Sequence, residues 1–195
     1  AAIVEIFDDH RRFPDAEIAV DEHRRGALRR VAGNAGLALL GRGGDDLEGE
    51  ARHLAARHVA LALDAADAGR RLVLLSGGEA TVTVAGKGRG GPNQEYALAA
   101  AVAASGDRRL AVLAADTDGT DGGTGRIDDP AGALALPDTL ALAARHGLDP
   151  GAALRHNDST GFFEAIGRLV RTGPTYTNVN DFRAVIVDSR GPDGQ

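Results

Sequence analysis

"TVTVAGKGRGGPNQEYALAAAV", residues Thr81–Val102, is the stretch on which the reading of this chain turns. The alternation over Thr81–Val84 predicts a short strand. Gly86, Gly88 and Gly91 then fall at the G-x-G-x-x-G spacing, and Pro92 suits the first position of the alanine-rich helix that follows. Strand, glycine turn and helix in that order form the building unit of α/β folds. One version of the unit binds a dinucleotide by seating pyrophosphate on the helix N-terminus. Asp116, at the end of the next predicted strand, stands where a ribose-binding carboxylate would stand, so an NAD(P)H enzyme is one reading. Glu95 opposes it, because a carboxylate in the first turn repels the anion that the helix dipole should receive. A purely structural turn is another reading. A Walker loop is excluded, since G-x-x-x-x-G-K-[ST] ending at Lys87 would need Gly at position 81 and Ser or Thr at 88, which are Thr81 and Gly88.

Outward from this stretch, predicted strands and helices alternate. Strands are expected at Ala16–Val20, in "LALLG", in "RRLVLL", in "ATVTVAG", in "RLAVLAA" and, last, in "FRAVIV". Helices are expected from Asp21, in "GGDDLEGEARHLAARHVALALDAADAG", from about Asn93, in "LPDTLALAARHG" and in "NDSTGFFEAIGRLV". In the second of these, Asp45 or Asp46 is the expected N-cap and Gly69 the stop. Leu47, Ala51, Leu54, His58 and Leu61 are its expected buried face. The pattern predicts an α/β layered sandwich with a mixed, largely parallel sheet flanked by helices. Ser76-Gly77-Gly78-Glu79 reads as an antiparallel hairpin turn, with an anion nest as the functional alternative.

Chemistry concentrates in "DTDGTDGGTG". Asp116, Asp118 and Asp121 sit on a glycine-rich loop after a strand end, where α/β active sites lie, and could hold Mg²⁺ against phosphate oxygens. Counting from Asp116, Asp121 takes position six and Ile127 position twelve, so the loop is no EF-hand. "TGPTYTNVNDF" carries Asn178, Asn180 and Asp181, which read as a polar surface loop or a pocket wall. The six histidines form no metal spacing.

Composition narrows the classes. Hydrophobic residues at 43% and charged residues at 26% describe an ordinary globular chain. A net charge of -6 with no isolated basic run argues against nucleic acid or an anionic membrane. No cysteine is present, which excludes thiol catalysis and disulfides. No apolar run approaches the roughly 18 residues of a membrane span, and no signal peptide is visible, so a cytoplasmic location is expected. Methionine is absent throughout, from which a trimmed chain or a fragment is expected.

Taken in order, "LSGGEATVTVAGKGRGGPNQEYALA", "LAADTDGTDG", "LPDTLALAARHGLDP", "NDSTGFF" and "TGPTYTNVNDFRAVIV" resemble the C-terminal, or MOFRL, domain of class II glycerate kinases. The resemblance spans about Leu37–Val187. It implies ATP- and Mg²⁺-dependent phosphorylation of D-glycerate at its 2-hydroxyl. Relatives also bear the label hydroxypyruvate reductase, an NAD(P)H activity. It further implies a two-domain enzyme whose active site lies between domains, with the N-terminal nucleotide and phosphate domain lying outside this sequence. Residues 1–20 are then a linker or edge segment, 21–188 the MOFRL-like domain and 189–195 a disordered tail. Catalytic roles fall on Asp118 and Asp121, and metal binding on Asp116 and Asp118. Substrate or nucleotide contacts fall on Glu79, Asn93, Gln94, Glu95, Asn178, Asn180 and Asp181. Pro92 departs from the arginine common at its position. On this reading Gly86–Gly91 is a flexible loop that carries Asn93, Gln94 and Glu95 to the cleft. The competing classes are the reductase and a non-catalytic module that supports or dimerises with a partner domain, a homodimer included.

Overall fold

The computed structural model describes residues 36–39, 49–124 and 126–189, the first of these as backbone only. Residues 1–20, the expected strand Ala16–Val20, the helix from Asp21, the caps Asp45 and Asp46, Leu47 and residues 190–195 lie outside the described residues. In chain order the elements are β1 (Gly36–Leu39), β2 (Gly49–Glu50), α1 (Ala51–Asp67), β3 (Arg71–Ser76), β4 (Ala80–Thr81), α2 (Pro92–Ala104) and β5 (Leu110–Asp116). They continue with β6 (Gly132–Ala135), α3 (Thr139–Arg145), α4 (Pro150–Arg155), α5 (Ser159–Ala165), β7 (Leu169–Val170) and β8 (Asp181–Asp188).

The main sheet has six strands in the order β1-β3-β8-β5-β6-β7. The α/β layering and the mixed sheet agree with the sequence, but the balance of directions does not. β1 and β3 pair in parallel, whereas β3–β8, β8–β5, β5–β6 and β6–β7 are antiparallel. The parallel expectation came from the β-α-β alternation, and β1, β3 and β5 do run the same way. The last strand, β8, inserts between β3 and β5 in the opposite sense. The Gly77-Gly78-Glu79 turn is no hairpin either. β4 leaves the main sheet and pairs in parallel with β2, with Gly49 opposite Ala80. The alternation at Thr81–Val84 therefore yields only a two-residue strand.

Among the described residues every helix contributes to one side of the sheet. The larger apolar cluster joins Leu54 and Val59 of α1, Leu98 of α2, Phe162 and Phe163 of α5 and the strand residues Leu74, Val112 and Val185. α2 is buried almost all round, and its alanines let α1, β5 and β6 approach closely. Glu50 caps α1, accepting from Arg52 N–H at 2.9 Å and His53 N–H at 3.2 Å. Leu61 is 38% exposed rather than buried, because the inward face is the alanine row that includes Ala55, Ala62 and Ala65. No helix among the described residues is long and apolar enough to cross a membrane.

Candidate functional site

The C-terminal ends of β3 and β5 meet the start of β8 at one edge of the sheet. Asp116 lies directly opposite Asp181 in the β5–β8 register. Both belong to the strand positions that face the helices, so their carboxylates share a side of the sheet with the N-terminus of α2. Asp116 Oδ1 accepts the Asp118 N–H at 3.0 Å, and Asp118 Oδ1 accepts the Thr120 N–H at 2.8 Å. The two local turns hold the aspartates on one tight loop. Burial raises the Asp116 carboxyl above the ordinary aspartate range; the charges of Asp118 and Asp181 push the same way, against the Asp118 N–H. Gly119, at φ +100°, is required there, since a Cβ would run into the Gly173 carbonyl.

Loop 172–180 is bound onto this loop. Thr175 N–H donates to the Asp118 carbonyl at 3.1 Å, and Thr117 Oγ1 donates to the Asn180 carbonyl at 2.8 Å. Asn178 and Asn180 are exposed, with Asn178 Oδ1 accepting the Asn180 N–H at 2.8 Å. Glu79 is exposed on the neighbouring turn. The sheet edge thus gathers Glu79, Asp116, Asp118, Asn178, Asn180 and Asp181.

The remaining expected site residues form a buried network beneath that edge. Asp121, 2% exposed, accepts the backbone N–H of Asn93 at 2.9 Å and of Gln94 at 2.8 Å. The Asn93 and Gln94 side-chain amides donate to it as well, at 3.2 and 3.0 Å. Burial pushes its carboxyl up to about 6, opposed by these donors, which favour the carboxylate. Asn93 Nδ2 also donates to Asp181 Oδ1 at 2.6 Å and so links the network to the edge. Glu95 accepts from Arg52 Nε at 2.7 Å and from Asn157 Nδ2 at 3.0 Å. Gln94 Oε1 accepts the Thr160 hydroxyl at 2.7 Å.

This arrangement resolves the glycine stretch. The N-terminus of α2, where a dinucleotide would place pyrophosphate, already holds the chain's own anion, Asp121. The loop is also pinned rather than flexible. Gly88 N–H donates to the His156 carbonyl at 2.8 Å, and Asn157 Oδ1 accepts from Ala85 and Gly86 N–H at 2.8 and 2.9 Å. At Gly86, Gly88 and Gly91 a Cβ would sit under 3.0 Å from the backbone of His156, Asp158 and Asp121 respectively. These glycines admit close packing of protein on protein.

Between the glycine loop, residues 121–124 and 126–130, and α5 opens a cleft of about 520 Å³. Of the expected site residues, Gln94 and Asp121 line it. Arg89, Arg126 and Arg171 stand around its mouth; Arg89 and Arg171 share Glu164 at 2.9 and 3.0 Å, and Arg126 pairs with Asp128 at 3.1 Å. Loop 117–124 thus has one end on the acidic edge and the other in the cleft wall. No group of three or more His, Cys, Asp or Glu able to hold a metal occurs among the described residues. A pair of carboxylates completed by phosphate oxygens and water is the kind of site Mg²⁺ uses, and Asp116 with Asp118 fits that pattern.

Sequence reasoning missed Arg183, which is 1% exposed. It donates to the Gly77 and Gly78 carbonyls at 3.1 and 3.2 Å and to Asp181, and its guanidinium lies 5.5 Å from the Tyr96 ring centre. A signal existed, because an arginine on the inward register of the apolar run "FRAVIV" must find a buried partner. Asn157 and Thr160 were missed because their partners lie 62 and 66 residues away in sequence.

Comparison with known proteins places these features. A model of the MOFRL family matches residues 72–181. An Agrobacterium vitis protein named "Putative hydroxypyruvate reductase" is 47% identical over 150 residues, covering 74% of this chain and 33% of that protein. The glycerate 2-kinase of Pyrococcus horikoshii is 40% identical over 149 residues, again 74% of this chain and 33% of the relative. The crystal structure of a Thermotoga maritima glycerate kinase superposes with a TM-score of 0.70 at 36% identity, covering 80% of this chain and 36% of that one. The chain spans about a third of the length of these curated relatives.

Proposed function

Since the chain belongs to the MOFRL family, we propose that it is the C-terminal part of a glycerate 2-kinase, transferring the γ-phosphoryl group of ATP to D-glycerate. The observation that carries this reading is Asp121 seated on α2. It speaks against the dinucleotide interpretation of the glycine turn and favours the half-exposed Asp116 and Asp118 at the sheet edge as the reacting groups. Bound ATP would supply the transferable phosphoryl group, and Mg²⁺ would neutralise charge on it. Asp116 would hold the metal, with the backbone of Asp118 fixing its orientation and the second oxygen of Asp118 left for the substrate.

Phosphoryl transfer depends on positioning and charge stabilisation more than on covalent help from the protein. Asp118 keeps its Oδ1 on the Thr120 N–H and directs its second oxygen to the substrate hydroxyl, orienting it and receiving its proton. Asp121 is a positioning residue, setting the height of loop 117–124 against α2. The arginines at the mouth of the cleft suit the carboxylate of glycerate, while Gln94, fully buried and bonded to Asp121 and Thr160, acts through the network behind them. Glu79, Asn178 and Asn180 form the rim that meets the N-terminal domain and its nucleotide. Asn93, Glu95 and Asp181 act from beneath, through the network. Without that domain the chain is expected to be inactive.

The test is a pair of assays on this chain supplied with a separately expressed N-terminal domain of the family. Glycerate-dependent ADP release supports the kinase. Hydroxypyruvate-dependent NADH oxidation in its place overturns it in favour of the reductase named among the relatives. Neither activity, with binding of the N-terminal domain, assigns the chain to a non-catalytic supporting role.

A further inference from the structure

Tyr176 occupies a position where the fold gains nothing from a tyrosine. Its φ is +58°, in the left-handed region that disfavours any side chain with a Cβ. Its side chain is 98% exposed, so no packing offsets that strain. The residues around it are nevertheless held. Thr175 N–H donates to the Asp118 carbonyl at 3.1 Å, the Thr175 hydroxyl donates to the Thr117 carbonyl, and Val179 N–H donates to Thr117 Oγ1 at 2.8 Å. Tyr176 is therefore an aromatic ring mounted on a fixed frame, one residue from a direct bond to Asp118. Its immediate neighbours are Pro174, Thr175, Thr177 and Asn178. Isolated rings set among hydrogen-bonding side chains suit a planar partner that is apolar on its face and polar on its edge, such as a nucleobase.

We propose that Tyr176 is the platform on which the base of the nucleotide stacks, with the phosphates running from there toward Asp116 and Asp118. This rests on the kinase reading above and adds to it the residue that recognises the base. A protein partner would be the other user of an exposed ring, and the experiment separates the two.

The chain has two tyrosines, and Tyr96 is buried, so the ring protons of Tyr176 are readily assigned by comparison with Tyr176→Phe. Magnesium-ATP and magnesium-tripolyphosphate are titrated into the isotope-labelled chain and followed by NMR, first alone and then with a separately expressed, unlabelled N-terminal domain of the family. Ligand responses are read with that domain present. Both should perturb loop 117–124, but only ATP should move the Tyr176 ring resonances upfield. Tyr176→Gly should weaken ATP binding by about tenfold and leave tripolyphosphate binding unchanged. Its melting temperature should equal or exceed that of the parent, since glycine relieves the strained φ. ATP shifts in loop 117–124 with a silent Tyr176, or unchanged ATP affinity in Tyr176→Gly, overturn the proposal and leave the kinase reading standing. If neither ligand perturbs loop 117–124, both fall. A ring silent to ATP that responds only to an added N-terminal domain assigns Tyr176 to a protein contact and also overturns the proposal.

Discussion

Asp121 accepts the Asn93 and Gln94 backbone N–H groups at 2.9 and 2.8 Å, across 28 and 27 residues of sequence. An aspartate in one loop thereby caps a helix that begins in another, and the helix start and the acidic loop become one body. Replacing Asp121 by Ala should destabilise the chain by about 2–3 kcal/mol, read from urea unfolding, because buried donors lose their acceptor. Asp121→Asn should also be destabilised, since its NH₂ faces N–H donors. An unfolding midpoint unchanged in both variants would contradict the capping role.

Asp118 offers the contrasting case. Asp118→Asn keeps an oxygen for the Thr120 N–H, so unfolding should move by less than about 0.5 kcal/mol. Phosphoryl transfer in the presence of the N-terminal domain should fall by about 10²–10⁴-fold. Stability lost together with activity would make Asp118 another structural aspartate.

The glycine loop predicts a steric penalty. A Cβ at Gly86 would meet the His156 backbone, which cannot swing aside as a side chain can. Gly86→Ala should cost about 1–3 kcal/mol. Gly77→Ala is the control, because the nearest atom to its added Cβ lies at an ordinary 3.6 Å. A melting curve for Gly86→Ala that overlays the parent would show that the loop is not pinned as described.

His58 predicts a pH dependence. Its Nδ1 lies 2.8 Å from the Tyr96 hydroxyl, and burial, with help from Arg183 and Arg57, lowers its pKa from 6.5 to about 4. Between those values the unfolded chain binds a proton that the folded chain refuses, so stability rises with pH across the window. The contribution is complete above about pH 6.5 and amounts to about 3 kcal/mol. It is lost progressively as pH falls toward 4. The raised Asp121 carboxyl contributes an opposing slope between about pH 4 and 6. The His58 contribution is therefore read as the stability difference between the parent and His58→Gln, which should grow as pH rises from 4 to 7. A difference independent of pH would contradict it.

The sequence made the polar clusters legible because chemistry-bearing residues and glycines sit together in short segments. "DTDGTDGG" and "NQE" could be singled out without knowing where they fold. What each segment touches was hidden. Asp121 reads as a catalytic carboxylate when only its loop is seen, yet its partners lie in "PNQ", some 27 residues upstream. Strand direction was hidden for a similar reason. The β-α-β alternation correctly orients β1, β3 and β5, but nothing local in "FRAVIV" says that this strand enters between β3 and β5. Gly86–Gly91 matched a ligand-binding spacing because glycine serves any close approach, and here the approaching surfaces are the α4–α5 connection at Gly86 and Gly88 and Asp121 at Gly91.

On the proposed function, Asp118 is presented to the hydroxyl of glycerate during phosphoryl transfer from ATP. The most direct measurement is ³¹P NMR of D-glycerate, magnesium-ATP, this chain and a separately expressed N-terminal domain of the family. A phosphomonoester resonance at the glycerate 2-position should appear with ADP and be lost when Asp118→Asn replaces the parent chain. No glycerate-dependent phosphoester from the parent, or the same rate from the variant, would contradict that assignment.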